Sequence, residues 1–279
     1  MTRPWQAVVV ALLVGLAVVL ALSGCGDRSS SPAAGTFTPQ QPGVLTVVTS
    51  DVPQAGFWEG TPTHLIGGFE YELARDLVRR FGLRTVRVEI ESFHRVVVGH
   101  LGAADMALDL VTPTAQRARF LSFSSPYLDA APTVLVRTGT SVADLETARS
   151  LTWGTIVGST LVGIINRLVT PAAPVKTYEN DSLLLGALEA HRVDAVLLDM
   201  PAAVVIANRS HGRLQAAAQL PQSETIAAAL PRNSGNVQAV DSAIRAFTAD
   251  GTINHLLRTW IGPSAANAEK SIPLLRTTR

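Results

Sequence analysis

The sequence predicts an α/β protein built as two lobes, each a mostly parallel sheet flanked by helices, with a ligand cleft between them. Strand-like and helix-like stretches alternate from residue 44 onward, which is the pattern of parallel strands joined by crossover helices. The alternation runs twice, the second round starting near residue 141. The chain then returns with one more strand near 226 to 231 and two helices.

Each element has a local reason. Leu45 to Thr49 reads LTVVT, rich in β-branched residues, and predicts a strand. Phe69, Leu73, Leu77 and Phe81 recur every four residues, one face of a helix that Gly82 closes. Thr85 to Ile90 alternates polar and apolar, a half-exposed strand. A helix is expected around 95 to 101, and short strands over Asp105 to Leu108 and Thr133 to Arg137. In the second round Ser141 with Asp144 resembles a helix cap, Leu151 to Val157 is a strand, and a helix starts at Ser159. Asn180 or Asp181 caps a Leu-rich helix reaching 190. Asp194 to Leu198 is apolar in a row, as expected of a parallel strand covered on both faces. Pro201 opens the next helix, where its missing N–H does no harm. Val237, Val240, Ile244 and Phe247 form one stripe, ended by Asp250-Gly251, and Ile253, Leu256, Leu257 and Trp260 form another. Phe57 and Trp58 read as lobe packing. The first lobe is expected over 44–135, the second over 136–222, and a return segment over 223–262. Crossings near 130 to 137 and 220 to 228 would form the hinge, and the tail over 263–279 is expected to be loose.

Composition excludes several classes. Of 279 residues, 47% are apolar and 16% charged, enough to build a core and unlike a disordered chain. A net charge of +1 gives no electrostatic case for nucleic acid. The single cysteine, Cys25, rules out an internal disulfide. Six scattered histidines without HExxH give no metal site, Gly154 to Thr160 is followed by no phosphate-loop lysine, and no cofactor is expected. No G-x-S-x-G elbow is present, and Ser159 has no evident base, so no enzyme is expected.

The N-terminus carries a positive Arg3, an apolar run from Ala7 to Leu22, and small residues before Cys25. Its alternative reading is a retained membrane helix. Leu22-Ser23-Gly24-Cys25 resembles the lipobox of bacterial lipoproteins. That resemblance implies a signal peptide over 1–24 and acylation of Cys25, which anchors the chain to the extracytoplasmic face of the cell membrane. Residues 27 to 43, rich in Ser, Pro and Gly, would be a flexible tether.

Three aspartates follow strands: Asp51 after LTVVTS, Asp109 after MAL and Asp199 after AVLL. In open α/β sheets, ligands bind beyond the carboxyl ends of the strands. Thr112 and Arg117 follow Asp109, and Gly158-Ser159-Thr160 opens a helix after a strand. Arg117 is a fork donor suited to a carboxylate, and the hydroxyls of Thr112 and Ser159 with the turn's N–H groups would complete an anion site. An aspartate across the cleft suits an ammonium. A small molecule with one of each is an α-amino acid, and neither charge is tolerated buried and unpaired.

These residues carry a resemblance. Gly68 to Ala74 (GFEYELA), Thr112 to Arg117 (TPTAQR), Phe123 to Tyr127 (FSSPY), Val193 to Asp199 (VDAVLLD) and Ala249 to Thr252 (ADGT) with Trp260 and Gly262 are similar, in order, to motifs of the polar amino-acid family of extracellular solute-binding proteins that feed ABC importers. The resemblance implies a periplasmic-binding-protein-like fold, an amino acid as ligand and ABC permease subunits as partners. It implies that Arg117 and Thr112, helped by Ser159 and Thr160, hold the α-carboxylate and that Asp199 takes the α-ammonium. Asp51 would face the ligand side chain, and Phe93 falls where an aromatic stacks on the ligand. The chain also departs from the family. Gln54 replaces an aromatic wall, Asp109 replaces a small residue, and no acid precedes Arg117.

If Arg117 and Asp199 take the two α-groups, Asp51 and Asp109 remain, and like charges in a cleft disfavour an acidic side chain. A polar side chain, cationic or amide, is expected, although Arg95, His94 or His64 would cancel one acid. Other readings stay open. Asp199 has a role as helix cap, Asp109 as partner of Arg119 or turn cap, Phe93 as core, and Gly158-Ser159 as a plain helix start. The same fold also serves amino-acid sensors that signal to a membrane receptor or kinase, and prephenate or arogenate dehydratases.

Overall fold

The structure, a computed structural model, describes residues 35–263 and 268–276. The signal-like run, Cys25 and the first part of the tether lie outside the described residues. Among those described, no helix is long and apolar enough to cross a membrane, and no group of acidic, His or Cys side chains is arranged to hold a metal ion.

The first round runs β1 (Val44–Thr49), a hairpin of β2 (Glu59–Thr61) and β3 (His64–Gly67), α1 (Phe69–Arg80), β4 (Thr85–Ile90), α2 (Phe93–Val96) and β5 (Met106–Ala107). All six residues of β1 are buried. Phe69, Leu73, Ala74 and Leu77 on α1 are wholly buried, and each large side chain so buried contributes about 1.5–3 kcal/mol. Gly68, just before α1, has φ +119, and a Cβ there would lie 2.1 Å from the Phe57 carbonyl oxygen, so only glycine passes. The helix expected over 95 to 101 is a single turn, α2, because the chain leaves it at Gly99 with φ +92.

Next come β6 (Leu121–Asp129), β7 (Pro132–Arg137), α3 (Leu145–Ser150), β8 (Trp153–Ile156), α4 (Leu161–Ile164), β9 (Lys176–Tyr178), α5 (Asp181–Glu189), β10 (Ala195–Asp199), α6 (Met200–Arg209) and β11 (Leu214–Gln219). The chain returns through β12 (Thr225–Pro231), α7 (Val237–Ala249) and α8 (Thr252–Trp260), and ends in α9 (Ala268–Ser271).

Two five-stranded sheets result, ordered β4-β1-β5-β12-β6 and β11-β7-β10-β8-β9. β4, β1 and β5 run parallel, as do β9, β8 and β10, and these are the strands that alternate with helices. The crossing segments supply the antiparallel strands, so each sheet is mixed. The chain changes sheet at Ala130–Ala131 and again between Gln219 and Thr225. β7 therefore lies wholly in the second sheet, a few residues before the expected boundary at 135.

Two terminal expectations need correction. The last part of the tether is docked: Phe37 stacks on Phe81 with centroids 4.4 Å apart, and the Thr38 amide donates to Asn236 Oδ1 at 2.8 Å. Phe37 is the one aromatic of that stretch, and it finds the end of the α1 stripe. The tail past Gly262 is not loose over residues 268–276. The Gln219 amide donates to the Pro273 carbonyl and the Leu275 amide to the Gln219 carbonyl, both at 2.8 Å, while Ala268 and Ile272 pack on Met200 and Val204.

Candidate functional site

Each sheet has a switch point, and the two face one another. From β1 the chain connects to β4 on one side and from β4 to β5 on the other, so a crevice opens at the carboxyl ends of β1 and β5. Asp51 and Asp109 sit there. The second sheet repeats the order, with β9 and β10 flanking β8, so its crevice lies where Gly158 to Thr160 follow β8 and Asp199 ends β10.

Asp51, Phe93, Asp109, Ser159 and Asp199 line one small cavity between the sheets. Ser50, Gln54, Leu110, Ile156, Leu161, Asn180, Asp181, Leu198 and Ala202 complete its wall. Four acceptors there are buried without a hydrogen-bond donor from the protein: Asp51 Oδ2, Gln54 Oε1, Asp109 Oδ2 and Asp199 Oδ1. Such atoms cost free energy unless a donor meets them, so the cavity wall is one that hydrogen-bond donors would satisfy.

Asp109 does not pair with Arg119. Its Oδ1 accepts from Thr49 Oγ1 at 3.0 Å and from the Ser50 amide and hydroxyl at 2.9 and 2.8 Å, tying β5 to the end of β1. Burial pushes its carboxyl well above the usual carboxylate range, the Ser50 amide draws it back, and the charge of Glu70 raises it further. Asp199 precedes α6 but its side chain makes no capping bond, which leaves it free to face the cavity. Burial, then the charge of Glu224, raises its carboxyl to about 8 against the pull of Arg117. Burial also raises Asp51, while the Val52 amide lowers it.

Arg117 clasps the two lobes. Its Nη1 donates to the Thr112 carbonyl at 2.7 Å and its Nη2 to the Gly158 carbonyl at 3.1 Å, in the other lobe. Its guanidinium lies 5.4 Å from the centre of the Phe93 ring, a cation–π contact. Thr114 Oγ1 accepts the Arg117 amide at 3.1 Å and starts the turn that aims the side chain. Burial draws its ionisation down, and Asp199, then Glu224 and Asp109, push it back up. Gly158 lets the lobes meet: at φ +79, a Cβ there would lie 2.9 Å from the His94 Cα. Arg209 pairs with Glu59 at 2.5 Å, and His94 Nδ1 lies 3.5 Å from Glu179 Oε2, both across the cleft.

Three expected residues stand apart from the cavity wall. Thr112, Arg117 and Thr160 do not line it. Thr112 contributes its carbonyl to Arg117, and Thr160 donates its hydroxyl to Glu224 Oε2 at 2.9 Å. The helix after Gly158 begins at Leu161 and is one turn long, continued by a π-helical turn over Ile165–Val169. Ser159 donates a hydrogen bond from its hydroxyl to the Ile156 carbonyl at 2.8 Å. Sequence reasoning missed Asp181 as a cavity residue and took Gln54 only as a departure from the family. The signal was present at Asp181: with two candidate caps side by side, one side chain was left over. Asn180 Oδ1 is the cap, accepting from the Leu183 amide at 3.0 Å.

The model of the bacterial extracellular solute-binding proteins, family 3, matches residues 45–263. The L-cystine-binding protein of Escherichia coli K12 is 24% identical over 254 residues, covering 90% of this chain and 94% of that one. A glutamine-binding protein of Geobacillus stearothermophilus is 28% identical over 216 residues, covering 70% and 81%. An amino-acid ABC transporter substrate-binding protein from Streptococcus pneumoniae, solved with L-arginine, superposes with a TM-score of 0.70 at 23% identity, covering 78% of this chain and 94% of that one.

Proposed function

Because the chain belongs to the bacterial extracellular solute-binding proteins, family 3, we propose that it captures one amino acid between its lobes and hands the closed form to the permease subunits of an ABC importer. Relatives and structural neighbours of this chain are named for amino-acid binding, and the family is extracytoplasmic. The observation that supports the reading best is a guanidinium and a carboxyl at two facing switch points: Arg117 from one lobe and Asp199 from the other, each acting on the other's ionisation. A zwitterion answers both. Arg117 keeps N–H donors for a carboxylate beyond its two backbone bonds, and Asp199 Oδ1 awaits an ammonium. The ligand's greater affinity for the closed form drives closure.

The test is thermal. The full chain in detergent would be unfolded, washed, refolded and melted with each common amino acid, following tryptophan fluorescence. A ligand at about 100 times its Kd adds roughly 2.7 kcal/mol. A clear rise in Tm with one or a few amino acids is expected. No rise with any of them removes the reading.

The raised carboxyl of Asp199 sets the pH dependence. A carboxyl whose folded pKa is raised adds stability below its ordinary value, near 3.8, and loses that contribution as pH rises through about 8. An ammonium placed against it draws the proton off, so binding releases protons. Affinity should climb between about pH 6 and 8 by up to roughly tenfold per unit for each proton released. Calorimetric titrations in buffers of different ionisation enthalpy measure that proton count, and a count of zero at pH 7 contradicts it.

Cys25 completes the reading as the anchor, supported by the small residues that precede it after an apolar run. Labelling cells with a palmitate analogue should tag the parent and not Cys25→Ala, which should leave the membrane fraction. Equal labelling of the variant would refute the lipid anchor.

A further inference from the structure

The cavity wall carries more carboxyl groups than a zwitterion explains. Asp51 and Gln54 line it from the first lobe and Asp181 from the second. Gln54 is 7% exposed, and its Oε1 has no donor from the protein. Asp51 Oδ2 is likewise buried without a donor. Asp181 is the first residue of α5, where the helix dipole favours an acid, but Asn180 supplies the side-chain cap and leaves the Asp181 carboxyl on the cavity wall. The geometry leaves the amide oxygen of Gln54 turned to the cavity beside two carboxylates, and all three are acceptors. Ile156, Leu161, Leu198 and Ala202 form apolar wall nearby, suited to a hydrocarbon stem.

Resting on the amino-acid reading above, we infer that the ligand's side chain ends in a cation, a guanidinium or an ammonium, held between Asp51 of one lobe and Asp181 of the other, and that Asp181 is a specificity-determining residue. A carboxamide offers two N–H donors to three acceptors and brings its own carbonyl among them. A cation offers donors alone and offsets the like charges. In accord with this placement, burial and then the charge of Asp51 raise the Asp181 carboxyl to about 6, while Gln54 lowers it. Because the acids come from opposite lobes, the cation also draws the cleft shut.

The experiment is calorimetric titration of the refolded full chain in detergent with L-arginine, L-lysine, L-glutamine and L-glutamate. The parent, Asp181→Asn and Asp181→Glu are compared. The parent should bind arginine or lysine at least about tenfold more tightly than glutamine, with glutamate weakest. Asp181→Asn should lose about tenfold or more for the cationic amino acid and change by less than about threefold for glutamine, while Asp181→Glu keeps the preference. Tightest binding of glutamine or glutamate by the parent overturns the inference and leaves the amino-acid reading standing. An equal loss for arginine, lysine and glutamine in Asp181→Asn also overturns it, since a merely structural residue acts that way. Binding of none of the four overturns the inference alone, whereas a Tm that no common amino acid raises overturns both. The parent's own order of preference decides the matter even if the asparagine variant does not fold.

Discussion

Arg117→Ala is expected to weaken amino-acid binding by roughly 2–5 kcal/mol, a loss of about thirtyfold to a few thousandfold. Two effects add in the same direction. The guanidinium is the cation of the proposed carboxylate site, and it also fastens the Thr112 carbonyl of one lobe to the Gly158 carbonyl of the other. Removing it takes away a ligand contact and a clasp of the closed form. Arg117→Lys separates them. Lysine keeps the charge but lacks the fork that reaches two carbonyls and a carboxylate together, so it should fall between parent and alanine. Equilibrium titration of the three proteins reads the series, and an alanine variant that binds like the parent would mean that the ligand does not meet Arg117.

Glu70→Ala should give the largest loss of stability, roughly 3 kcal/mol or more in urea unfolding. Glu70 is fully buried in α1 and accepts from Trp58 Nε1 and the Leu110 amide, each at 3.0 Å, and from the Tyr127 hydroxyl. Alanine would strand the Leu110 amide and the Tyr127 hydroxyl, at about 1–3 kcal/mol each, while Trp58 Nε1 keeps the Leu108 carbonyl at 3.2 Å. Function should suffer too. Leu110 lines the cavity with φ +50, a backbone conformation costing of order 1–3 kcal/mol outside glycine, and its amide is held by Glu70. Freed of that bond, the loop that carries Asp109 is expected to relax. Glu70→Gln, which keeps an acceptor, should lose less. If Glu70→Ala unfolds at the same urea concentration as the parent, the buried network does not hold that loop.

The legible part of the fold was the part written in apolar runs and stripes. β1, α1, β10, α7 and α8 could be read because burial dictates their residues directly. β6 could not: Ser122, Ser124 and Ser125 are polar and Pro126 lacks an N–H, so nothing in the stretch announces a strand. It is tolerated because β6 is an edge, where a missing donor costs little. The docked tail escaped notice because Ile272 and Leu275 find their partners in the second lobe, far off in sequence. At the site, Asp51, Asp109 and Asp199 could be found because an acid closing an apolar strand is chemically odd. The clasp of Arg117 on Gly158 could not, since its acceptor is a backbone carbonyl and carries no sequence signal.

The account turns on both α-groups being held at once, one by each lobe. The most direct measurement takes the amino acid that raises Tm most and titrates the refolded chain with it, with its decarboxylated amine and with its 2-keto acid. The amine lacks the partner of Arg117, and the keto acid lacks the partner of Asp199. Each analogue should bind at least about thirtyfold more weakly than the amino acid, the lower end expected for a broken buried charge pair. Binding of either analogue as tightly as the amino acid would contradict the account.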